Sequence, residues 1–347
     1  MTSALNIKAF LNTLSSRSRT LPIVILYVTE GCNLQCITCS YRNALPGELT
    51  IAEIQALAHT LKRHGLQHIV YSGGEPLLRR DFPEICRIMA GLNLKQTLLT
   101  NGLLLEKRWE EIKSYFHEII VSVDGPDAGT HNAIRGVASF DQIVKGIQKV
   151  LSSTGRPSIS IRSVVQKRNF RQILAMVAFA KSVNVDRVSF LAADVLSNSF
   201  GRDTRGQAAE NSAIMLDQDD LVEFHVLLEQ MFTMYSNEFS AGFISESPAK
   251  MLHIYQYFDA LCNKTGFPRN YCNAPMVSLV ITSTGIVQPC YFLPEVGTIK
   301  NQPVDTIMNN PALQTVRRDV KEYTLERCRT CVCTLHVTPG AALLNRF

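Results

Sequence analysis

The chain has 347 residues, 46% hydrophobic and 19% charged, with a formal net charge of +5. That balance excludes a disordered or fibrous chain and leaves room for two domains around a sizeable core. No apolar run approaches the ~20 residues of a membrane helix, the start lacks a signal-peptide layout, and Lys and Arg are spread without a nucleic-acid patch.

Ten cysteines without a secretory layout fit a reducing, cytoplasmic setting. There, clustered cysteines are metal ligands more often than disulfides. Within residues 1–20, the stretch from Ala4 to Arg19 reads as a short amphipathic helix with Ile7, Phe10, Leu11 and Leu14 on one face. Such a segment packs on its own domain, with peripheral membrane docking the alternative. From residue 21 onward, β-rich runs (23–29, 68–72, 96–100, 119–124, 158–165, 187–191) alternate with helical periodicity (50–64, 82–90, 109–116, 140–152, 170–183). Ile51, Ile54, Leu57, Ala58 and Leu61 form the stripe of a helix packed on a sheet. Thr50 with Glu53 reads as its capping box, and Gly65 as its stop. The alternation implies parallel βα units with right-handed crossovers, in an open doubly wound sheet or a complete or partial barrel.

In either fold chemistry gathers at the C-terminal ends of the strands. The unusual residues fall there: Cys32 after the first strand, Gly73-Gly74-Glu75-Pro76 after the second, and Thr100-Asn101-Gly102 after the third. Asp124-Gly125 closes the fourth, and Arg162 lies inside the fifth. Cys32, Cys36 and Cys39 form a C-x₃-C-x₂-C run. Structural zinc sites and ordinary ferredoxin clusters are closed by four ligands. Three local thiolates can instead hold three corners of a [4Fe–4S] cube and leave one iron open; a zinc knuckle, or two buried cysteines plus one stray, is the bland alternative.

This run resembles the signature of the radical S-adenosylmethionine (radical SAM) superfamily, and residues 21–200 resemble its core. The resemblance implies an α/β fold, a partial (β/α)₆ TIM-type barrel, in which the open iron chelates SAM. Gly73-Gly74-Glu75-Pro76 resembles the family's GGEP segment, which meets the amino group of SAM. Glycines admit close backbone approach, and a carboxylate pairs with an ammonium. The resemblance also places Ser122, Asp124 and Arg162 near the ribose and carboxylate of SAM, a guanidinium being suited to a carboxylate. For Ser122 and Asp124 turn chemistry is the competing account, and Asn169 reads as a helix cap. The family often has an aromatic before the third cysteine; here that residue is Thr38, and Tyr41 is the substitute for stacking on adenine.

Beyond residue 270, Cys272 and Cys290 flank a hairpin pattern that turns at Gly285, and Cys328, Cys331 and Cys333 follow near the end. This resembles the SPASM extension or its shorter relative, the twitch domain. It implies a small α+β unit over residues 271–347 with one auxiliary [4Fe–4S] cluster. Its ligands are then Cys272, Cys290, Cys328 and Cys331, with Cys333 a possible substitute; a structural zinc clip is the alternative. Cys86 reads as a buried apolar residue, whereas Cys262 lies in a linker, residues 201–270, that is suited to covering a substrate. This linker region carries a polar segment, 197–211, and a Met-rich helix near 221–235.

The resemblance therefore implies two [4Fe–4S] clusters, SAM, and a flavodoxin- or ferredoxin-type electron donor. The expected reaction is hydrogen abstraction by a 5′-deoxyadenosyl radical from a small-molecule or lipid-like substrate. A peptide substrate is the first alternative, and a non-catalytic zinc or iron–sulfur protein the second. With the first strand starting near residue 21, there is no room before it for a leader-binding domain, which tilts the expectation toward the small molecule.

Overall fold

Strand β1 (Ile23–Thr29) is buried at every residue, as a strand must be when it has neighbours on both edges and a layer on each face. The computed structural model describes residues 4–202, 213–333, 335–338 and 340–341. In it β1 pairs in parallel with β2 (His68–Gly73) on one edge and with β7 (Ser278–Ile281) on the other. Outward from β2 follow β3 (Lys95–Thr100), β4 (Glu118–Ser122), β5 (Ser158–Val165) and β6 (Arg187–Ala192), all parallel. Beyond β7 lie the antiparallel strands β8 (Ile286–Gln288) and β9 (Gly297–Thr298), giving a nine-stranded sheet in the order β6-β5-β4-β3-β2-β1-β7-β8-β9. The six parallel strands make the partial barrel, and the cysteine-bearing extension continues its sheet.

Helices α1 (Ala4–Leu14), α2 (Ile51–Arg63), α3 (Phe82–Gly91), α4 (Leu105–Ile112), α5 (Ala128–Arg135), α6 (Phe140–Leu151) and α7 (Ile173–Ser182) follow in order. The α2 capping box forms as the sequence implies, with Thr50 accepting from the Glu53 amide and Glu53 from that of Thr50. Helix α4 starts four residues earlier than the periodicity suggests, straight after the Gly102 turn, so that Trp109 sits mid-helix and donates from Nε1 to Ser153 Oγ at 2.7 Å. Helix α5 was not expected. It is one short segment, capped by Asp127 and ended by Gly136 at φ 72°.

Helix α1 packs on the extension through Ala9 and Asn12, while Ile7 (47% exposed) and Leu14 (54%) face solvent. The Asn12 amide donates to Thr20 O (2.6 Å) and Met276 O (3.0 Å), and of the expected stripe Phe10 packs on the shared cluster. In the linker, the helix Gln218–Met234 buries Leu221, Phe224, Leu228 and Met231 beside α7 and the helix Pro248–Asn263. Phe243 to Ser245 then bond to Val188, covering the outer edge of β6. This Met-rich helix is core at the barrel's open side. Of the polar segment 197–211, residues 203–211 lie outside the described residues. Among the described residues no helix is long and apolar enough to cross a membrane.

A second apolar cluster joins Ile23, Ile25 and Tyr27 of β1 to Met276, Val280, Leu293 and Val320. Barrel and extension thus share a core.

Candidate functional site

The β2 turn lies on the cysteine loop with almost no space between. A Cβ on Gly73 (φ 118°) would stand 2.2 Å from Thr29 O, and one on Gly74 would stand 2.2 Å from Gly31 O. Gly74 N donates to Thr29 O (2.9 Å) and Glu75 N to Gly31 O (2.8 Å). The glycines are therefore required by contact between two backbones. Glu75 is 0% exposed and accepts from Leu77 N (3.0 Å), Thr100 Oγ1 (2.8 Å) and Asn101 N (2.7 Å). These donors lock the β2 turn to the end of β3. Burial pushes the Glu75 pKa up to about 7. Pro76 is buried and opens the short turn that follows.

The cysteine loop is held on several sides. Cys32 N donates to Arg42 O (3.0 Å), Gln35 N to Arg135 O (2.9 Å), and Ile37 N to Ile134 O (3.1 Å). Two side chains point N–H groups at sulfur: Asn101 Nδ2 lies 3.8 Å from Cys32 Sγ, and Arg135 Nη1 lies 3.7 Å from Cys36 Sγ. Burial raises the Cys32 thiol and pushes Cys39 up to about 11, a cost that binding to a cation removes because ligation deprotonates the thiol. Among the described residues no three His, Cys, Asp or Glu side chains are closed around one metal-holding point. The donor set itself, three thiols from one loop with N–H groups aimed at two sulfurs, fits three ligands of an iron–sulfur cluster.

Asp124 is 2% exposed; its Oδ2 lies 2.7 Å from Arg135 Nε, and its Oδ1 accepts from Val164 N at 2.7 Å. The structure thus gives it a partner within the protein, where the resemblance implied SAM. Asn169 makes no helix cap; its Nδ2 donates to Asp124 O and Val164 O, each at 3.0 Å. Ser122 is half-buried at the end of β4, in register with Arg162 on β5. Arg162 Nε donates to Ser189 Oγ at 3.4 Å, and Ser189 Oγ donates to the Glu246 carboxylate at 2.9 Å. The Tyr41 ring packs edge-on against Tyr27, with centroids 6.1 Å apart.

Cys272, Cys290, Cys328, Cys331 and Cys333 all line one cavity, together with Ile25, Tyr291 and Arg327. Burial, with neighbouring thiols adding to it, pushes Cys290 up to about 12; burial also pushes Cys328 up to about 11 and raises Cys333. The hairpin turns at Gly285, φ 88°. Tyr27 lies between the two cysteine groups, stacked on Tyr291 (6.0 Å) as well as against Tyr41. Cys86 is fully buried as expected, and Cys262 Sγ lies 4.0 Å from Gln218 Oε1.

Three supporting residues escaped the sequence reading, Arg135, Asp194 and Arg327, while Asn101 was placed at its strand end without a role. Asp194, past the end of β6, pairs with Arg202 and with Arg327, each at 2.7 Å, and so ties the barrel to the turn that carries Cys328. The one local signal was at Arg135, the last residue before a helix-stopping glycine.

A partial parallel barrel with a thiol triad at the end of its first strand, and a second thiol group in a sheet-sharing extension, defines an iron–sulfur enzyme of the SAM-cleaving class. The radical SAM superfamily model matches residues 26–192, and the model of the SPASM iron–sulfur cluster-binding domain matches residues 272–332. A GTP 3',8-cyclase of Marinobacter nauticus is 31% identical over 243 residues, covering 65% of this chain and 72% of that protein. The AdoMet-dependent heme synthase of Methanosarcina barkeri is 28% identical over 322 residues, 88% of this chain and 86% of that protein. Among solved structures, Streptococcus suis SuiB bound to precursor peptide SuiA superposes with a TM-score of 0.63 at 18% identity, covering 95% of this chain and 74% of that one. Native anSMEcpe with bound AdoMet gives 0.63 at 18% identity, over 90% of this chain and 89% of that one. The chain belongs to the radical SAM superfamily and carries a C-terminal SPASM iron–sulfur domain. It is an enzyme that uses iron–sulfur clusters and S-adenosylmethionine.

Proposed function

We propose that this enzyme abstracts hydrogen from a small-molecule or lipid-like substrate, with one cluster held by Cys32, Cys36 and Cys39 and one auxiliary [4Fe–4S] cluster held by Cys272, Cys290, Cys328 and Cys331. Cys32, Cys36 and Cys39 would hold a cluster that would supply the electron for reductive cleavage of SAM, drawn from a flavodoxin- or ferredoxin-type donor. The single observation that carries the reading is the joint lining of one cavity by all five C-terminal cysteines, against β1 of the barrel. Four are enough to close a cluster, which leaves Cys333 free to substitute. Within the barrel mouth the chain's own residues bind and orient: Arg162 presents its guanidinium beside Ser189, and Gly73 to Pro76 brace the triad loop. The small-molecule class is supported by the names of the heme synthase and GTP cyclase relatives. The peptide reading draws on SuiB, whose likeness shows the fold alone.

The test is anaerobic reconstitution followed by SAM cleavage. The parent should hold about eight irons per chain, and the Cys32, Cys36, Cys39 triple alanine variant about four. Release of 5′-deoxyadenosine should rise above its uncoupled rate on adding a metabolite or lipid extract. A rise with a peptide pool alone overturns the substrate class, and zinc in place of iron in the C-terminal group overturns the auxiliary cluster.

A further inference from the structure

The last turn of α5 is docked on the middle of the cysteine loop. Gln35 N and Ile37 N, the amides on either side of Cys36, donate to the carbonyls of Arg135 and Ile134 in turn. The contact is close enough that Gly136 has no room for a side chain: a Cβ there would stand 2.4 Å from Gln35 O. From this helix end the Arg135 side chain reaches back over Cys36. Its guanidinium stands between two groups, with Nη1 donating toward Cys36 Sγ at 3.7 Å and Nε ion-paired at 2.7 Å with Asp124 Oδ2. Asp124 is in turn fixed by Val164 N, and its backbone carbonyl by Asn169. The cation is therefore held in place by the protein, with its positive charge between a sulfur and a buried carboxylate.

We propose that Arg135 is a positioning residue that acts through Cys36 to raise the reduction potential of the triad cluster, and that Asp124 sets how far. This rests on the assignment of Cys32, Cys36 and Cys39 as its ligands. The physical reason is electrostatic. Reduction adds one electron, delivered by a low-potential carrier protein, to a centre already bearing thiolate charge. A fixed cation and an N–H···S contact favour the more negative, reduced form, the effect being larger where water is excluded. No bond forms or breaks at Arg135, and it stays protonated throughout. Asp124 opposes it, because a carboxylate ion-paired with the guanidinium offsets part of its charge.

The two members of the pair therefore have opposite signs, which a merely structural role does not produce. The experiment is an EPR-monitored redox titration of the reconstituted enzyme without SAM, the triad centre being the signal that changes shape when SAM is added afterwards. Arg135→Gln should move its midpoint to more negative potential, and Arg135→Lys should stay near the parent. Asp124→Asn, which keeps the acceptor for Val164 N, should move it to more positive potential. A parent midpoint in Arg135→Gln, or shifts of the same sign in Arg135→Gln and Asp124→Asn, overturns the proposal. Should Arg135→Gln fail to hold its triad iron, the Lys and Asn variants decide: a parent-like and a positive midpoint uphold it, any other pair overturns it. Iron analysis of Cys36→Ala judges the ligand assignment separately, since full iron there removes the assignment whatever the potentials.

Discussion

Thr100 Oγ1 donates to Glu75 and accepts from Gly102 N at 2.9 Å, so one hydroxyl serves both the buried carboxylate and the turn after β3. Thr100→Val keeps the shape and removes both bonds. Stranding a buried partner costs about 1–3 kcal/mol, and the expected outcome is a loss of that size in anaerobic denaturant unfolding. His131 is a second buried polar residue with a definite consequence. It is fully buried, accepts from Asp124 N at 3.3 Å, and has its pKa lowered to about 3 by burial and then by the Arg135 charge. The unfolded chain takes up the proton near pH 6.5, the native state far lower, so the stability it contributes is present above about pH 6.5 and is lost as the pH falls below it. Between about pH 7.5 and about pH 5.5 that loss is about 1.4 kcal/mol. His131→Gln should show a shallower pH dependence of unfolding by that amount; equal slopes in both proteins would count against it.

At the scale of elements, the turn after β2 is built to brace the loop after β1. A methyl group at Gly74 would fall on a backbone oxygen, which has no flexible end to move aside. Gly74→Ala should therefore displace the Cys32 loop, and iron analysis after reconstitution should find about half the parent's complement, because the auxiliary group is untouched. The sequence showed the six parallel strands and the helices between most of them, since alternating apolar runs and a capping box are local signals. Helix α5 was not legible because eight residues carry too few turns for a stripe, and Arg135 went with it. The internal partners of Glu75 were not legible for a related reason. A Gly-Gly-Glu-Pro segment shows that backbone must approach something closely, and only the fold shows that the something is Thr29 to Gly31.

For the whole molecule, the decisive contact is the pairing of β7 with the free edge of β1, Ile23 to Leu26 matching Ser278 to Ile281. A chain ending at residue 270 would leave that edge unpaired and uncover Ile23, Ile25 and Tyr27, which pack against the extension. Unpaired apolar edges recruit other chains. The truncated protein should therefore aggregate, and size-exclusion chromatography should find no monodisperse barrel; a soluble, iron-binding fragment would show the two parts to be independent.

What the sequence determined by itself is whatever depends on spacing along the chain: the thiol triad within one loop, the βα alternation, the hairpin between Cys272 and Cys290, and hence the family. The tertiary structure decided what depends on partners far apart in sequence. Asp124 meets Arg135, Glu75 accepts from the Asn101 amide just past the next strand, five cysteines from separate turns share one cavity, and β7 completes the barrel's edge. A buried charge or an unpaired strand edge must find some partner, but which one is set by the packing of the sheet, and no local pattern encodes it.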